Sequence, residues 1–235
     1  MTLPDRTIVI LQARMGSRRL PGKAMEMVAG RPLIAHCIDR LRAADVGPLV
    51  LATTREREDE VLVRVAEAAA VNVVRGSGDD VLERFSDVLT LYPGRMVVRA
   101  TGDNPAVDTA AVRRVQRWLD ITGADYVVEE GLPYGSAVEA VRADVLVQAH
   151  LWAREPHDRE HVTTWIARHT DRFRVQRIPA PRAVRRPDLR FTVDTPTDLE
   201  YMRRVLAATP PPVATASLRD VIEAADRTQT AAEVA

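Results

Sequence analysis

The feature that most constrains the fold is a regular alternation, over residues 8–128, of short apolar runs with segments of helical periodicity. Runs rich in Val, Ile and Leu predict buried strands, and apolar residues three and four positions apart predict amphipathic helices. The predicted strands are 8–11, 49–53, 72–75, 96–100 and 125–128, and the predicted helices between them are 32–44, 58–70, 80–91 and 109–122. Such alternation with short links is typical of a mostly parallel, Rossmann-like sheet flanked by helices. The sequence therefore predicts an α/β fold with ligands at the carboxyl ends of the strands.

Helix-capping residues support two of these helices. Asp79 or Asp80 is expected to cap the helix that ends at Leu91, and Thr109 is expected to cap the helix that ends at Thr122. Short oxygen-bearing side chains at this position accept hydrogen bonds from the free N–H groups of the first turn.

The first predicted strand runs into a basic loop, residues 12–23, which contains two glycines, a proline and four cationic side chains. Glycines let a backbone approach a ligand and direct its N–H groups inward, and Arg and Lys neutralise negative charge. The loop matches neither the Walker A pattern nor the G-x-G-x-x-G dinucleotide pattern. It predicts an anion-binding site for polyphosphate, and the alternative is a surface loop with solvated cations.

Composition excludes several classes of function. Lys and Arg together number 33, and so do Asp and Glu, so no global field draws the chain to nucleic acid or to an anionic membrane. The single cysteine, Cys37, excludes an internal disulfide and is expected to be a buried helix residue rather than a nucleophile. There is no apolar run of membrane-spanning length and no signal-peptide pattern at the N-terminus, which predicts a soluble cytoplasmic protein.

The pattern changes after residue 130. Residues 137–141, 173–178 and 189–193 predict strands, and residues 144–154, 159–169 and 198–207 predict helices. A proline run at 210–212 ends the last of these, and a weak helix, 217–225, precedes ten residues for which no order is predicted. We expect one domain over residues 1–208, in which about 131–190 forms an acceptor lid or a subunit interface, and a link, weak helix and tail over 209–235.

Polar residues follow several predicted strands. Besides the basic loop, Thr53, Ser77 and Asp103 lie at strand ends, and Asp194 follows the strand predicted at 189–193. Two short carboxylates beside a polyphosphate loop suit Mg²⁺, which takes one or two carboxylates together with water and phosphate oxygens. The alternatives are a turn-stabilising role for Asp103 and a helix cap for Asp194.

The loop Gln12-Ala13-Arg14-Met15-Gly16-Ser17-Arg18-Arg19-Leu20-Pro21-Gly22-Lys23 resembles the signature loop of the cytidylyltransferase family. This family includes the CMP-KDO and CMP-sialate synthetases and the SpsF-like spore-coat polysaccharide proteins, and the last branch is the more similar. Further matching motifs are Ala52-Thr53-Thr54, Arg75-Gly76-Ser77-x-Asp79-Asp80-Val81-Leu82, Thr101-Gly102-Asp103-Asn104-Pro105, Arg159-Glu160-His161-Val162-Thr163 and Thr192-Val193-Asp194-Thr195-Pro196. The resemblance covers about residues 7–206.

The resemblance implies a fold similar to the nucleotide-diphospho-sugar transferases and a Mg²⁺-dependent transfer of CMP from CTP with release of pyrophosphate. It implies that Asp103 and Asp194 hold the metal ion and that they act in catalysis with Arg14 and Lys23. The nucleotide-binding residues that it implies are Leu11, Ala13, Arg14, Gly16, Ser17, Arg19, Lys23, Thr53, Ser77 and Asp79, of which Leu11, Ala13, Ser77 and Asp79 lie near the base. Arg18 departs from the family, which usually has a small hydroxyl residue at this position.

The acceptor is expected to face Arg99, Tyr134, Glu139, Arg159 and His161. Arg159 and His161 bind an acidic group in one interpretation and form an interhelical polar network in the other. Ser136-Ala137 stands where a larger or acidic residue is expected in SpsF-like chains, so an acidic sugar and a small phosphonate both remain open as acceptors. A homodimer formed through about 131–190 is also expected. The alternative functions are a transferase of the same fold that uses another NTP on a sugar phosphate, and a non-catalytic nucleotide-binding regulator.

Overall fold

A computed structural model of the chain describes residues 4–234. Its strands are β1 (Thr7–Gln12), β2 (Met27–Val28), β3 (Arg31–Pro32), β4 (Leu49–Thr54), β5 (Asn72–Gly76), β6 (Met96–Thr101), β7 (Tyr126–Glu130), β8 (Glu139–Arg142) and β9 (Val175–Pro179). Seven of them form one sheet in the order β5-β4-β1-β6-β8-β7-β9, and β2 and β3 form a separate antiparallel pair. Within the large sheet, β8 runs antiparallel to both neighbours and the remaining pairs are parallel. The mostly parallel sheet is as predicted.

The helices are α1 (Leu33–Ala44), α2 (Glu60–Ala68), α3 (Val81–Leu91), α4 (Thr109–Thr122), α5 (Ala143–Trp152), α6 (Pro156–His161), α7 (Thr164–Arg168), α8 (Pro196–Ala208) and α9 (Leu218–Val234). They cover both faces of the sheet, because strand side chains alternate between faces. In β1, for example, Val9 and Leu11 belong to the apolar cluster that includes residues of α1, α2, α4, α8 and α9, whereas Ile8 and Ile10 belong to the cluster that includes residues of α3, α5 and α7. The α/β class predicted from the sequence is confirmed.

The helix caps follow the sequence with one correction. Asp80 caps α3 by accepting a hydrogen bond from the N–H of Glu83 at 2.8 Å. The cap of α4 is Asp108 rather than the predicted Thr109, because the Asp108 carboxylate accepts from the N–H of Ala110 at 3.1 Å. Cys37 is buried in α1 as predicted, and burial raises the pKa of its thiol.

The segment after residue 130 departs from the predicted elements in two places. The helix predicted over 159–169 is interrupted at Val162, whose φ of 60° ends α6 before α7 begins. The strand predicted over 189–193 is extended backbone that contributes a single bridge, between Tyr134 and Arg190. Both β8 and β9 belong to the large sheet, so this segment adds strands to the same sheet. The lid or interface role expected for it stays a prediction.

The end of the chain is more ordered than its polar composition predicts. The helix expected to end at residue 225 continues to Val234, and residue 235 lies outside the described residues. Leu218, Val221, Ile222 and Ala225 of α9 join the same apolar cluster as α8, so burial of this face stabilises the helix. None of the described helices is long and apolar enough to cross a membrane.

Candidate functional site

A cavity of about 770 Å³ opens at the carboxyl ends of β1, β6 and β7. Because β8 runs in the opposite direction, its amino end reaches the same edge and brings Glu139 opposite Arg99 of β6. The basic loop closes one side of the cavity, and residues 128–139 close the other side. This is the strand edge at which the sequence predicted ligand binding.

Lys23 joins three segments that are far apart in sequence. Its Nζ donates to Asp103 Oδ2 at 3.0 Å, to Asp194 Oδ1 at 3.0 Å and to the carbonyl oxygen of Val193 at 2.7 Å. Its side chain is 12% exposed, so solvent screens these bonds only weakly. Lys23 is also the only lysine in the sequence, among 33 cationic residues. The two predicted metal aspartates therefore share one ammonium group.

The backbone around Asp103 brings β6 close to the basic loop. The N–H of Gly102 donates to Gln12 O at 2.8 Å, and a Cβ at Gly102 would lie 2.7 Å from the Cβ of Ala13. Thr101 Oγ1 donates to Asp103 Oδ1 at 2.6 Å, which leaves Oδ2 for Lys23. Asp103 therefore stabilises its own turn and also presents one oxygen to the cavity.

Asp194 is held by cations rather than used as a helix cap. Arg19 approaches Oδ1 at 2.9 Å and Arg190 donates to Oδ2 at 2.7 Å, in addition to the bond from Lys23. Burial alone would raise the pKa of Asp194, but Lys23, Arg19 and Arg190 outweigh it and lower the pKa below its usual value. The cap of α8 is Thr195, which forms a capping box with Asp198. The capping alternative for Asp194 is therefore wrong.

The two aspartates fit a magnesium ion by their chemistry. Asp103 Oδ2 and Asp194 Oδ1 are at most 6.0 Å apart, because each lies 3.0 Å from Lys23 Nζ. The Lys23 ammonium contacts both oxygens, so a metal ion held by both carboxylates would have to displace it. In the part of the chain that the structure describes, no group of three or more His, Cys, Asp and Glu side chains is arranged to hold a metal ion. A donor set of two carboxylates suits Mg²⁺, which completes its shell with water and phosphate oxygens.

The predicted phosphate-binding residues lie along one wall. Arg14, Ser17, Arg19 and Lys23 line the cavity, and so does Arg18. Arg14 Nη1 donates to Gly78 O at 2.8 Å, and its Nη2 pairs with Glu160 at 3.3 Å. Gly16 is exposed and does not line the cavity.

Only some of the residues expected near the base line the cavity. Ala13 lines the cavity, whereas Leu11 points its side chain into the apolar core. Thr53 is fully buried, and its hydroxyl donates to Asp59 at 3.0 Å, so the structure gives it a structural role instead of a ligand contact. Ser77 and Asp79 lie in the turn after β5, where Ser77 Oγ accepts from the N–H of Asp80 at 3.1 Å. Neither of these two side chains lines the cavity.

Four of the five predicted acceptor residues line the cavity: Arg99, Tyr134, Glu139 and His161. Arg99 pairs with Glu139 at 2.7 Å and donates to Gln12 at 3.1 Å. Burial would raise the pKa of Glu139, but Arg99 chiefly lowers it, with help from the hydroxyls of Tyr126 and Thr163. Burial and the neighbouring His157 lower the pKa of His161.

Arg159 is not part of this group. Its guanidinium binds Asp80 of the α3 cap and the carbonyl of His150, and it does not line the cavity. The polar-network interpretation of Arg159 therefore describes its place in the structure. Tyr134 is exposed at the rim, where the Arg190 guanidinium lies 4.9 Å from the ring centroid.

Several residues of the site are not predicted by the sequence analysis. Gln12, Arg84, Asn104 and Glu129 line the cavity, and Arg190 binds Asp194. Glu129 is buried and is held by Arg114 through bonds of 2.6 Å from Nε and 2.6 Å from Nη2. The Arg190–Asp194 pair gives no sequence signal, because a four-residue spacing brings side chains together on a helix and not in the strand predicted at 189–193. The position of Arg84 depends on how α3 packs.

The sequence of the chain is similar to that of known proteins. The profile of the cytidylyltransferase family matches residues 8–227. The spore coat polysaccharide biosynthesis protein SpsF of Bacillus subtilis is 35% identical over 203 residues, which cover 83% of this chain and 84% of that protein. A 3-deoxy-manno-octulosonate cytidylyltransferase of Rhodospirillum centenum is 36% identical over 126 residues, which cover 52% of this chain and 48% of that protein.

Solved structures share the fold. A cytidylyltransferase from Leptospira borgpetersenii superposes with a TM-score of 0.88 at 24% identity, and the match covers 96% of each chain. A CMP:2-keto-3-deoxy-manno-octonic acid synthetase complexed with CTP has a TM-score of 0.65 at 20% identity, covering 86% of this chain and 99% of that one. A Mycobacterium tuberculosis protein in complex with manganese has a TM-score of 0.59 at 20% identity, covering 84% and 97%. With the family profile spanning nearly the whole chain, this protein belongs to the cytidylyltransferase family and is a CTP-dependent nucleotidyltransferase.

Proposed function

We propose that the protein transfers CMP from CTP to an acidic small-molecule acceptor, with Mg²⁺ as the metal ion and pyrophosphate as the leaving group. The observation that carries this proposal is the convergence of Asp103, Asp194 and Lys23 at the edge of a cavity lined by the basic loop. The synthetase of similar fold that is complexed with CTP and the neighbour complexed with manganese support the choice of nucleotide and of a divalent cation.

The chain's own residues suffice to bind and orient the triphosphate. Arg14 and Arg19 line the cavity and would turn their guanidinium groups from Glu160 and Asp194 to phosphate oxygens. Lys23 would exchange its bonds to Asp103 and Asp194 for a phosphate when the metal ion binds the two carboxylates. These cations neutralise the charge that develops on pyrophosphate as the bond to the α-phosphate breaks. No covalent enzyme intermediate is needed, because the acceptor oxygen attacks the α-phosphate directly. Asp103 and Asp194 would hold Mg²⁺, which would supply Lewis-acid polarisation of the α-phosphate and lower the pKa of the acceptor oxygen.

The other end of the cavity is suited to an anionic acceptor. Arg99 lines it and donates from Nε to Gln12 and from Nη1 to Glu139, so the N–H groups of Nη2 remain for a ligand. Glu139 in turn is fixed by Tyr126 and Thr163, each at 2.8 Å, and cannot turn away without breaking these bonds. Arg99 is thereby held in one orientation. Arg99 can pair with either a carboxylate or a phosphonate group, so an acidic sugar and a small phosphonate both remain open as acceptors.

The experiment is pyrophosphate release with Mg²⁺ and each of the four NTPs, measured against a panel of acidic sugars and small phosphonates. We expect release that is confined to CTP and one acceptor class and that is lost in Asp103→Asn. Asp39→Asn is the matched control, because Asp39 pairs with Arg31 outside the cavity. Equal release with another NTP would favour the alternative transferase. CTP that raises the melting temperature without release against any acceptor would favour the non-catalytic regulator.

A homodimer remains part of the proposal. Within the segment expected to form an interface, α5 exposes Val147, Leu151 and Trp152, an apolar group on one side of the helix end. Contiguous exposed apolar side chains often mark protein–protein interfaces. Light scattering at micromolar concentration is expected to give the mass of a dimer, and Trp152→Glu is expected to shift it to the monomer. A monomeric mass for the unaltered chain would refute the dimer.

A further inference from the structure

Arg190 lies beside Tyr134 at the rim of the cavity and binds two carboxylates near the start of α8. Its Nη2 donates to Asp194 Oδ2 at 2.7 Å, and its Nε donates to Asp198 Oδ1 at 3.1 Å. The N–H donors of a guanidinium are fixed in one plane, so a guanidinium that meets two carboxylates also fixes where they lie relative to each other. Arg190 therefore ties Asp194 to the first turn of α8.

The supports of Arg190 are themselves held in place. Asp198 Oδ2 accepts from the N–H of Asp194 at 3.0 Å, from the N–H of Thr195 at 2.9 Å and from its hydroxyl at 2.9 Å. On the other side, a backbone bridge joins Arg190 to Tyr134, and the guanidinium lies 4.9 Å from the centroid of the Tyr134 ring. The Arg190 side chain is 42% exposed, but these contacts keep it in one position.

The two oxygens of Asp194 have different partners. Lys23 and Arg19 contact Oδ1 at 3.0 Å and 2.9 Å, whereas Arg190 contacts Oδ2. In the proposed function, Lys23 and Arg19 turn to the phosphates when the nucleotide binds. Among the described residues, Arg190 is then the side chain that still holds the Asp194 carboxylate. It leaves Oδ1 facing Asp103, with which Oδ1 shares the Lys23 ammonium before the nucleotide arrives.

We propose that Arg190 is a positioning residue, which holds Asp194 with Oδ1 directed at the metal ion. The inference rests on the proposed function, since it concerns the metal ion of the same site. Groups that hydrogen-bond to a metal ligand orient it, and their loss typically lowers metal affinity about 10- to 100-fold. A cation that acted only through its charge would have the opposite effect, because it would repel a nearby metal ion. The two roles therefore predict changes of opposite sign when Arg190 is removed.

The test is calorimetric binding of CTP, in excess Mg²⁺ and in EDTA, to the unaltered protein and to Arg190→Met. The ratio of the dissociation constant in EDTA to that in Mg²⁺ measures what the metal ion contributes to nucleotide binding. We expect this ratio to exceed one for the unaltered protein. In Arg190→Met we expect the ratio to fall by about tenfold, or to one if the unaltered ratio is smaller than that, with little change of the affinity in EDTA.

Controls separate the orientation of Asp194 from the loss of any bridging arginine. Arg186 is the matched control, because it also bridges two carboxylates, those of Asp188 and Asp226, and does not line the cavity. Arg186→Met is expected to keep the ratio of the unaltered protein. Arg190→Lys keeps the charge but has no planar fork to bridge both carboxylates, so its ratio is expected to lie between those of the unaltered protein and Arg190→Met. It serves if Arg190→Met does not fold.

The outcomes distinguish this inference from the proposed function. If the unaltered protein does not bind CTP, or binds it equally in Mg²⁺ and in EDTA, the proposed function fails in its nucleotide or its metal ion. If the unaltered protein shows the effect of Mg²⁺ and Arg190→Met keeps or increases it, only the inference about Arg190 is wrong. An equal loss of CTP affinity in Mg²⁺ and in EDTA would make Arg190 a nucleotide contact or a support of the fold, and would also overturn the inference.

Discussion

Replacing Lys23 tests whether the site requires an ammonium group or only a positive charge. Three acceptors converge on Nζ: Asp103 Oδ2 at 3.0 Å, Asp194 Oδ1 at 3.0 Å and Val193 O at 2.7 Å. An ammonium has three N–H donors that rotate to meet three acceptors, whereas the donors of a guanidinium lie in one plane. Lys23→Arg keeps the charge and loses this geometry, and Lys23→Met loses both.

The magnitude follows from the two carboxylates that Lys23→Met leaves behind. They are at most 6.0 Å apart, because each lies 3.0 Å from Nζ. At an effective dielectric constant of about 20, two unit charges at this separation repel by about 3 kcal/mol. Arg19 and Arg190 still neutralise Asp194, and the side chain of Asp103 is 28% exposed, so part of this repulsion is relieved. We expect a net destabilisation of about 2 kcal/mol, or a melting temperature roughly 4–8 °C lower.

The activity loss is expected to be larger than the stability loss. Removing one group that stabilises charge in the transition state typically lowers turnover by about 100- to 1000-fold. We expect kcat/KM to fall by that factor in Lys23→Met and by about tenfold or more in Lys23→Arg. Added Mg²⁺ is expected to raise the melting temperature of Lys23→Met more than that of the unaltered protein, because no ammonium then competes for Asp103 and Asp194.

The assay combines thermal melting, with and without Mg²⁺, and pyrophosphate release with CTP. Arg31→Lys is the matched control, since Arg31 pairs with Asp39 outside the cavity and an exposed pair contributes about 0–1 kcal/mol. Unchanged kcat/KM in Lys23→Arg would show that the convergent geometry does not matter. Unchanged kcat/KM in Lys23→Met would refute the assignment of Lys23 to the phosphates.

Three further predictions concern the supports of the site and the core. Gly135 has a φ of +94°, and a Cβ there would lie 2.6 Å from the amide nitrogen of Thr192. Gly30 has a φ of +80° but open space around it, so we expect Gly135→Ala to lower the free energy of unfolding by about 2 kcal/mol more than Gly30→Ala does. Equal melting temperatures of the two variants would contradict this. Arg114 alone pairs buried Glu129 and Asp108 among the described residues, so Arg114→Met is expected to lose about 3–5 kcal/mol in urea unfolding, whereas Arg142→Met at an exposed pair loses about 1 kcal/mol or less. Burial lowers the pKa of His36, so the folded state binds its proton less readily than the unfolded state, and stability is expected to fall as the pH drops below about 6.5. His36→Gln is expected to flatten this part of the pH profile, and an unchanged slope would assign the loss to other groups.

Much of the fold can be predicted from the sequence because strand and helix periodicity are local properties. The run predicted at 49–53, for example, is β4 (Leu49–Thr54), and it is buried on both faces as its unbroken apolar pattern indicates. The break at Val162 could not be predicted in this way. Across the break, the buried carboxylate of Asp158 accepts hydrogen bonds from Thr164 at 2.8 Å and from Arg168. A contact of this kind leaves no periodic signal.

The first part of α9 is packed in the core, and the extension beyond residue 225 is bound to neighbouring segments: Asp226 pairs with Arg186, and Arg227 donates to the carbonyl of Ala208. The sequence of α9 is polar enough that only its first half predicts a helix, yet Val221 and Ala225 lie on one face and both are fully buried. That face packs in the cluster that contains Met202 and Val205 of α8. Helical stability in proteins comes mainly from packing of an amphipathic face, so the partner helix decides the outcome.

Within the site, residues in motifs could be found from the sequence, but residues placed by packing could not. Asp103, Asp194 and Lys23 belong to distinct motifs, and the structure shows that the three meet in one cluster. Thr53 has the same position at a strand end as Asp103, but its hydroxyl is turned toward buried Asp59. Position at a strand end therefore selects candidates without telling which side of the strand they face, since side chains alternate between the two faces.

The sheet order explains why the two halves of the cavity differ. On one side, the parallel strands β1 and β5 lead into the basic loop and α3, which carry Arg14, Lys23 and Arg84. On the other side, β8 is inserted in reverse between β6 and β7, so that Glu139 stands directly across from Arg99. Asp103 follows β6, the strand at this boundary, and Val193 donates to its carbonyl at 2.9 Å, which brings Asp194 to the same place. If the nucleotide binds on the first side and the acceptor on the second, as we propose, the Lys23 cluster lies between the two substrates, which is where transfer must occur.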